Sequence, residues 1–356
     1  MYMKRTITTA FLLLYTTVIM AVNGVSLSQR TIGNGLESQS LNVLAKDSQG
    51  RLWVGSDVGL SVISNGTVTN IRDVVSEGGL VMLGNVKSIV CHKEILIACD
   101  DRILCYNPKR QQATTLRYDD IILQTDDILL CGDEATFYDS DTHSLYSFDM
   151  EKHRCRLLAT FTDQDYNFCR ILKSSAASDS ALIYLADDAL GLFSYDLNKT
   201  TLTHIETDLP IVAKATAIDK SNIIWVSVPS KGIKGYYINS NYEQIAQYST
   251  ANCALQSNDI SYITTLPNGN LLTALSDAGV CIGKAGPFCR FDTGKSAECL
   301  LVSGRQTETA HQLKIIHPLA TQIVVCRAEH IRLRDLQPCI EADSQCRNGE
   351  NCEKTA

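Results

Sequence analysis

Residues 51–63 read RLWVGSDVGLSVI, in which two short apolar strands flank a turn at residues 56–59. An apolar run at 41–45 precedes them and is separated from them by a polar turn at 47–50. Runs of apolar and β-branched residues between glycine-containing polar turns are typical of antiparallel strands that follow one another in a meander. The segment therefore predicts three consecutive strands of one small sheet.

The same pattern of strand, turn and strand recurs along the chain. Clear copies lie at 181–196, 221–238 and 270–282, and weaker copies at 94–107, 134–149 and 321–335. The first apolar residue of the third strand recurs at Leu60, Ile103, Leu145, Leu192, Ile233, Val280 and Ile331. This spacing is typical of propeller blades, each a four-stranded sheet. We predict an all-β, seven-bladed propeller of four-stranded antiparallel blades over residues 25–337; a β-sandwich or two stacked β domains is the alternative.

Two further features refine the repeat. Trp53 lies seven residues before Leu60, and Trp225 lies eight before Ile233, which places both on a second strand. We expect Trp53 to face the neighbouring blade.

The last blade has no obvious fourth strand of its own, so residues 27–32 are predicted to supply it by pairing with residues 331–333 and to close the ring.

Residues 1–24 are typical of a secretory signal peptide. They contain an early pair of basic residues, Lys4 and Arg5, an apolar run at 10–22, and small residues after it. A retained membrane anchor is the alternative, although spanning a bilayer takes about 20 mostly apolar residues. We expect a periplasmic or exported protein with no further membrane span.

The net charge of −7 and the lack of a basic block argue against nucleic acid as a partner.

Residues 33–63 resemble the two-component regulator propeller repeat. The matching positions are Asn34, Gly35, Leu36, Asp47, Gly50, Leu52, Trp53, Val54, Gly55, Ser56, Gly59 and Leu60. The copy at 224–226 is partial, and the other copies keep only the hydrophobic outline. The weak resemblance covers most of the predicted exported chain, whereas the complete motif covers about one blade.

This resemblance implies a sensor. Members of the family are periplasmic ligand-sensing regions of membrane regulators, and many of them govern glycan uptake. They usually combine two propellers, an immunoglobulin-like domain, a transmembrane helix, a histidine kinase and a response regulator. The present chain has one propeller's worth of repeats and then a polar, cysteine-containing tail at 338–356, so a stand-alone sensor-like propeller, a truncated relative and a fragment all remain open.

Motifs that carry chemistry are missing from the sequence. It has no HExxH, P-loop, nucleophile elbow or CxxC pattern. Acidic pairs occur at 100–101, 119–120, 126–127 and 187–188, where paired carboxylates could hydrolyse glycosides, but turn positions favour solvated turn residues. The histidines show no ligand spacing, although His311 and His317 could point inward from the first strand of blade seven. We predict no catalytic residues, no metal ligands and no cofactor.

The cysteines support two interpretations. Seven lie within or at the ends of apolar strand runs, where cysteine acts as a small hydrophobe: Cys91, Cys99, Cys105, Cys131, Cys169, Cys281 and Cys326. Export would permit disulfides instead. We favour buried thiols in the strands, with a local bridge between Cys346 and Cys352 as an open possibility in the tail.

A ligand of a propeller binds at the mouth of the central channel, which inner strands and loops surround. The predicted inner strands are residues 42–46, 86–90, 127–130, 168–172, 213–218, 260–264 and 312–317. No ligand-binding residue is singled out by the sequence. We predict a non-catalytic sensing or binding propeller for an unidentified ligand, an oligosaccharide being one candidate; a scaffold that binds a protein partner and a propeller-fold polysaccharide lyase or glycosidase are the alternatives.

Overall fold

The described part of the chain is almost entirely β-strand. The computed structural model describes residues 25–30, 35–38, 40–174, 181–253, 255–265, 271–276, 279–283, 288–291, 299–304, 311–317 and 322–328. These residues form 32 strands and a short 3-10 helix, Ile238–Ser240. Within the same ranges no helix is long and apolar enough to cross a membrane. The predicted signal peptide and the tail at 338–356 lie outside the described residues.

The strands form seven main sheets in chain order. The first strand, β1 (Val25–Arg30), belongs to the seventh sheet. Sheet one holds β2 (Leu41–Lys46), β3 (Leu52–Ser56), β4 (Gly59–Ser64) and β5 (Thr67–Ile71). The hairpin of β6 (Asp73–Ser76) and β7 (Gly79–Met82) extends sheet two, which holds β8 (Val86–Cys91), β9 (Ile95–Cys99), β10 (Ile103–Asn107) and β11 (Gln112–Thr115). The short hairpin of β12 (Arg117–Tyr118) and β13 (Ile121–Ile122) follows.

The remaining sheets repeat this plan. Sheet three holds β14 (Ile128–Cys131), β15 (Glu134–Asp139), β16 (Ser144–Asp149) and β17 (Arg154–Thr160). Sheet four holds β18 (Arg170–Leu172), β19 (Leu182–Asp187), β20 (Gly191–Asp196) and β21 (Thr201–Ile205). Sheet five holds β22 (Val212–Ile218), β23 (Ile223–Val228), β24 (Gly232–Tyr237) and β25 (Glu243–Tyr248), and sheet six holds β26 (Ile260–Thr265), β27 (Leu271–Leu275), β28 (Gly279–Gly283) and β29 (Phe288–Phe291). Sheet seven holds β30 (Cys299–Gly304), β31 (His311–His317), β32 (Gln322–Ala328) and β1.

The first strands of the sheets lie next to one another in a closed ring. Contacts run from β2 to β8, β14, β18, β22, β26 and β30, and β30 contacts β2 again. One four-stranded sheet cannot bury both faces by itself, and radial packing buries each face against a neighbour. The all-β propeller prediction is confirmed, and the seven sheets of the described residues are consistent with seven blades.

Most of the predicted strand positions are correct. Six of the third-strand positions lie on the third strand of their sheet: Leu60, Ile103, Leu145, Leu192, Ile233 and Val280. The seventh, Ile331, lies outside the described residues. Six predicted inner strands correspond to β2, β8, β14, β18, β22 and β26.

The prediction for sheet seven was wrong by one strand. Residues 312–317 belong to β31, the second strand, and the innermost strand is β30. As a result, His311 and His317 do not lie on the inner strand. The N-terminal segment is indeed the fourth strand, but β1 begins at Val25 and pairs with Ile323–Ala328 rather than with residues 331–333. The repeat pattern located two strands of this blade but assigned each to the position one strand earlier, because the apolar run at 299–304 carries no turn motif that marks it as a first strand.

The core lies between neighbouring sheets rather than in one centre. On β9, Ile95 and Ile97 pack with Trp53 of sheet one, whereas Leu96 and Ala98 pack with Phe137 of sheet three. Successive side chains of a strand point to opposite faces, so a strand buried on both sides reads as a continuous apolar run. This explains why second strands such as ILIAC are apolar throughout.

The Asp-x-x-Gly turn of the repeat holds the buried tryptophan in place. Asp47 Oδ1 accepts hydrogen bonds from the backbone N–H of Gln49 and Arg51 at 3.0 and 2.9 Å, and Oδ2 accepts one from Trp53 Nε1 at 3.0 Å. Sheet five repeats the arrangement, since Asp219 Oδ2 accepts from Trp225 Nε1 at 2.9 Å. The aspartate of this motif therefore joins a turn to the core and has no open coordination for a ligand.

The glycine that begins the third strand is required by close packing. Gly59 has φ of 136°, and a Cβ there would lie 2.6 Å from the Ile71 carbonyl oxygen. Gly232, at the same place in sheet five, has φ of 86° and would meet the Tyr248 carbonyl oxygen at 2.2 Å. Only glycine combines this backbone conformation with so close an approach. The motif glycine is thus structural as well.

The Asp47→Asn variant should be less stable than the wild type in a pH-dependent way. Burial raises the pKa of Asp47, but the hydrogen bonds from Trp53 and Arg51 outweigh it and hold the pKa below its usual value. A carboxyl group with a lowered pKa stabilises the fold above its unfolded pKa, and this contribution is lost as the pH falls through the folded pKa. Urea unfolding should show that the free energy of unfolding of the variant is about 1.5–3 kcal/mol below that of the wild type near neutral pH. This difference should be smaller at about pH 3. An equal cost at both pH values would contradict this role.

Free thiols are found at Cys99, Cys105 and Cys169, which are buried, and at Cys91, Cys131, Cys155 and Cys253, which are half-buried. This agrees with the preference for thiols in the strands. Cys281 is also buried, and the Cys326 side chain lies outside the described residues. Burial raises the pKa of the thiols of Cys91 and Cys99 to about 12, so both stay protonated. Cys346 and Cys352 lie outside the described residues.

Candidate functional site

The candidate site is the channel mouth, which we define as the end of the ring at which the inner strands begin. At this end the turns between second and third strands lie beside the starts of the first strands. Inner-strand starts and these turns therefore supply the side chains of the mouth. We take the channel mouth, the location predicted from the sequence, as the candidate site, and several polar side chains lie at it.

β-Bulges turn polar residues toward the mouth. The register of β2 skips Asn42, that of β8 skips Lys87, and that of β26 skips Ser261. In β22 the register skips residues 213–215, which include Lys214. A bulge leaves one residue unpaired and re-aims its side chain, and bulges are frequent next to functional sites. Four inner strands use this device at the same end.

On the side of sheets one to three the polar residues form a connected network. Asn42 Nδ2 donates to Asn85 Oδ1 at 2.6 Å, and Asn85 Nδ2 donates to Asp100 Oδ1 at 3.0 Å. Lys87 Nζ lies 2.8 Å from Asp126 Oδ1 and 3.5 Å from Asp100 Oδ1. Burial lowers the pKa of Lys87, but the hydrogen bond and charge of Asp126 outweigh it, so the pKa lies above its usual value. Lys87 is therefore a permanent cation at the mouth.

Arg170 crosses the channel. It lies at the start of β18, and its guanidinium stands 5.3 Å from the centre of the Tyr262 ring on β26, with sheet five between the two strands. Its Nη1 lies 3.6 Å from Asp127 Oδ2, which also accepts the backbone N–H of Ile171 at 3.0 Å. A cation over an aromatic face is attracted by the ring quadrupole. Arg170 thus connects three sheets across the mouth.

An open pocket of about 380 Å³ lies at the mouth and is lined by residues of sheets four, five and six. Its lining residues are Asp188, Val212, Lys214, Pro229, Asp259, Ile260, Ser261 and Ser276. Lys214 is exposed and, among the described residues, has no carboxylate within ion-pair distance. Asp188 Oδ1 accepts the backbone N–H of Ala213 at 2.7 Å, which fixes one wall of the pocket. The pocket offers a cation, carboxylates and hydroxyls within one concave surface.

The acidic pairs turn out to have different roles. Asp100, Asp126, Asp127 and Asp188 lie at the mouth, whereas Asp119 and Asp120 lie in the β12–β13 hairpin. The prediction of a solvated turn residue was wrong for Asp187, which is buried. Its Oδ2 accepts the N–H of Asn167 at 2.7 Å, and its Oδ1 accepts the N–H groups of Ala189 and Leu190 at 2.8 and 2.9 Å. A carboxylate that satisfies three backbone donors can be buried without a cation.

The histidines are distributed over several environments. His204 Nε2 lies 3.1 Å from the Leu190 carbonyl oxygen, and His92 Nε2 lies 2.9 Å from Asp133 Oδ1. His153 Nε2 lies 3.2 Å from Glu94 Oε2, on the face opposite the mouth. His330 lies outside the described residues. None of the histidines in the described side chains lines the mouth pocket.

Sequence analysis missed the mouth residues, although a weak signal exists. A polar residue follows the first apolar residue of the inner strand in Leu41-Asn42, Val86-Lys87, Cys169-Arg170 and Ile260-Ser261. The residue type differs in each copy, so a comparison of repeats does not detect it. Only the closed ring brings these positions together.

The comparisons with known proteins agree with this fold. The two component regulator propeller model matches residues 35–57. The extracellular domain of the hybrid two component system BT3049 from B. thetaiotaomicron is similar in structure, with a TM-score of 0.64, 16% identity, and coverage of 84% of this chain and 41% of that one. The extracellular domain of the one component system BT4673 from the same organism has a TM-score of 0.60 and 14% identity, and the match covers 84% of this chain and 40% of that one.

A third solved structure is of similar size to this chain. It is YCF48 bound to D1 peptide, with a TM-score of 0.61, 10% identity, and coverage of 87% of this chain and 97% of that one. The chain spans about two fifths of the two sensor domains. No curated protein matches the chain significantly in sequence. The chain is therefore an all-β propeller whose first blade carries the two component regulator propeller repeat.

Proposed function

We propose that the protein is an exported, non-catalytic binding propeller of the sensor type, and that it binds an oligosaccharide at the channel mouth. The observation that carries the proposal is a pocket of about 380 Å³ at the mouth, lined by Lys214 and Ser261 of two neighbouring inner strands and by Asp188 and Asp259 of adjacent loops. This volume lies within the range of about 300–1,000 Å³ for small-molecule sites. The N-terminal residues 1–24 and the similarity to extracellular sensor domains support a periplasmic location.

The chemistry of the mouth suits a ligand rich in hydroxyl groups. Lys214 can donate and Asp259 can accept, and the Ser261 hydroxyl, which donates to the Ala274 carbonyl oxygen at 3.3 Å, can also accept. A hydroxyl-bearing ring can hydrogen-bond to such groups with its edges. An apolar ligand would leave these polar groups unpaired.

The carboxylates at the mouth support binding rather than turnover. Asp126 is paired with Lys87, Asp127 accepts the N–H of Ile171, and Asp188 accepts the N–H of Ala213. A glycosidase uses a pair of carboxyl groups that flank the scissile bond. Here N–H groups and a lysine already occupy these carboxylates. These contacts favour the sensor proposal over a lyase or glycosidase.

The Lys214→Gln variant should bind the ligand less tightly without losing stability. Lys214 is exposed and has no ion pair among the described residues, so its replacement should leave the fold intact. Loss of one charged hydrogen bond of about 1.5–3 kcal/mol should weaken binding roughly 10- to 100-fold. The measurement is a glycan array to find the ligand, followed by calorimetric titration of wild type and variant, with product formation assayed in the same samples.

Lys109→Gln is the matched control, because Lys109 is also exposed but lies in the turn after β10, on the opposite face. Its affinity should equal that of the wild type. Equal weakening by both variants would place the ligand elsewhere and contradict the mouth site. Release of shortened or unsaturated sugars by the wild type would contradict the non-catalytic proposal.

A peptide is the second candidate ligand. The structure of YCF48, which this chain covers over 97% of its length, holds a D1 peptide. Propellers present wide surfaces of loops, which suit extended chains as well as small molecules. A peptide array probed with the same two variants separates the possibilities: peptide binding that is sensitive to Lys214→Gln, with no glycan bound, would favour a protein partner.

A further inference from the structure

On the face opposite the mouth, three metal-ligating side chains from separate parts of the chain meet. Glu94 lies in the turn between β8 and β9, Cys105 lies on β10, and His153 lies in the turn between β16 and β17 of sheet three. Glu94 Oε2 lies 3.1 Å from Cys105 Sγ and 3.2 Å from His153 Nε2. All three ligand atoms lie within 4.8 Å of one another.

We propose that Glu94, Cys105 and His153 form a Zn²⁺ site with three protein ligands and a fourth position open to solvent. Zinc binds thiolate sulfur at about 2.3 Å and imidazole nitrogen or carboxylate oxygen at about 2.0–2.2 Å in a tetrahedron. Ligand atoms of such a tetrahedron stand about 3.2–3.8 Å apart. The two distances from Glu94 Oε2 are therefore already close to those of an assembled site.

The donor set selects the metal. A thiolate, an imidazole and a carboxylate together suit zinc, whereas calcium and magnesium prefer oxygen ligands throughout. The thiolate and the carboxylate would balance the two charges of the ion. A thiol must lose its proton to bind zinc, so the affinity should fall as the pH falls.

Neighbouring residues orient the ligands. Asn107 Nδ2 donates to Glu94 Oε1 at 2.8 Å, which leaves Oε2 directed at the other two ligands. The ring of Phe148 packs edge-on against His153 with centroids 6.0 Å apart. A hydrogen-bonded partner such as Asn107 fixes the geometry of a metal ligand, and its mutation typically lowers the metal affinity about 10- to 100-fold. Asn107 is thus a positioning residue for the site.

The fourth position faces a pocket of about 400 Å³. Besides the three ligands, its lining includes Arg110, Gln112 and Thr114. Water or an anionic group could occupy the open coordination position, and Arg110 would favour an anion. Because Glu94 and Cys105 belong to sheet two and His153 to sheet three, an ion here would also connect two sheets.

A second cluster nearby is a weaker competitor. His92, Asp133 and Glu151 also approach one another, but they include no thiol. Lys93 Nζ is bonded to Glu151, so a cation already occupies that carboxylate. We therefore assign the ion to the cluster that contains Cys105.

The test is zinc binding by the full chain, first stripped with a chelator and kept reduced. Competition with a chromophoric chelator should give tight binding of one Zn²⁺ per chain, and Co²⁺ should produce a thiolate-to-cobalt absorption band. Cys105→Ser and His153→Gln should each weaken zinc binding by more than about 100-fold, since loss of a ligand exceeds the effect of an orienting partner. Cys105→Ser should also abolish the cobalt band, and Asn107→Ala should weaken binding about 10-fold.

Matched controls are Cys253→Ser and His204→Gln, which change the same residue types far from the site and should bind as the wild type does. If Cys105→Ser does not fold, His153→Gln decides, because the His153 side chain is 52% exposed and contributes little to the core. No binding by the wild type, a cobalt band retained in Cys105→Ser, or loss of binding in His92→Gln but not in His153→Gln would each overturn the proposal.

Discussion

Replacement of Trp53 by alanine should lower the free energy of unfolding by about 3–5 kcal/mol, the usual cost of a buried aromatic truncation. Trp53 is 2% exposed and lies on β3, where it packs against Ile95 and Ile97 of sheet two. Its ring also meets Tyr106 edge-on at 6.1 Å. The variant loses this packing and leaves Asp47 without one of its donors. Urea unfolding followed by circular dichroism measures the change.

Two variants separate packing from other effects. Trp53→Phe keeps most of the buried area but removes the indole N–H, so its cost should be smaller, about 1–3 kcal/mol. Val58→Ala, in the exposed turn after β3, should cost less than about 0.5 kcal/mol. Ligand binding by folded Trp53→Ala should match the wild type, because a residue this deeply buried does not reach a ligand. Unchanged stability together with lost binding would instead make Trp53 a binding residue.

Deletion of residues 25–33 should open the ring, with a melting temperature lower by roughly 10 °C or more and with aggregation. β1 pairs with β32 over six positions, from Val25 opposite Ala328 to Arg30 opposite Ile323. Without it β32 becomes an unprotected edge, which pairs readily with other chains. Deletion of residues 340–356 is the control and should change the melting temperature little, because that segment is polar and lies outside the repeats.

A pair of proline variants tests the same contact with less disturbance. Along an edge strand, alternate residues donate their N–H to the neighbouring strand, and proline cannot donate. Leu27 and Ser28 are adjacent in β1, so one of them donates to β32 and the other points its N–H away. One of Leu27→Pro and Ser28→Pro should therefore destabilise the protein much more than the other. A silent N-terminal deletion combined with a destabilising C-terminal deletion would show that another strand closes sheet seven.

The sequence by itself was sufficient for the four-stranded plan of the first six sheets, but it did not show the hairpin of β6 and β7, which extends sheet two to six strands. Second and third strands such as β3 and β4 are short and mostly buried, and turns such as Asp47–Gly50 and the glycine that begins β4 mark their ends, so local pattern and tertiary packing agree. The tryptophans lie at slightly different distances from the third strand, yet each lies six residues after an aspartate that bonds its indole. That local contact sets the register, because it is made within a single turn and strand.

The tertiary structure decided how residues distant in sequence meet. The sequence predicted that an N-terminal strand completes sheet seven, but only the structure shows that β1 pairs with Ile323–Ala328 and that β30 is the innermost strand. Asn42, Lys87, Arg170 and Lys214 differ in type, and they meet only because bulges and ring closure direct them to one mouth. Glu94, Cys105 and His153 come from two sheets and show no ligand spacing along the chain. The position of a residue along a strand determines which face of the sheet its side chain occupies. A site, however, is formed by residues from separate blades. The relative placement of those blades follows from the packing of the whole ring.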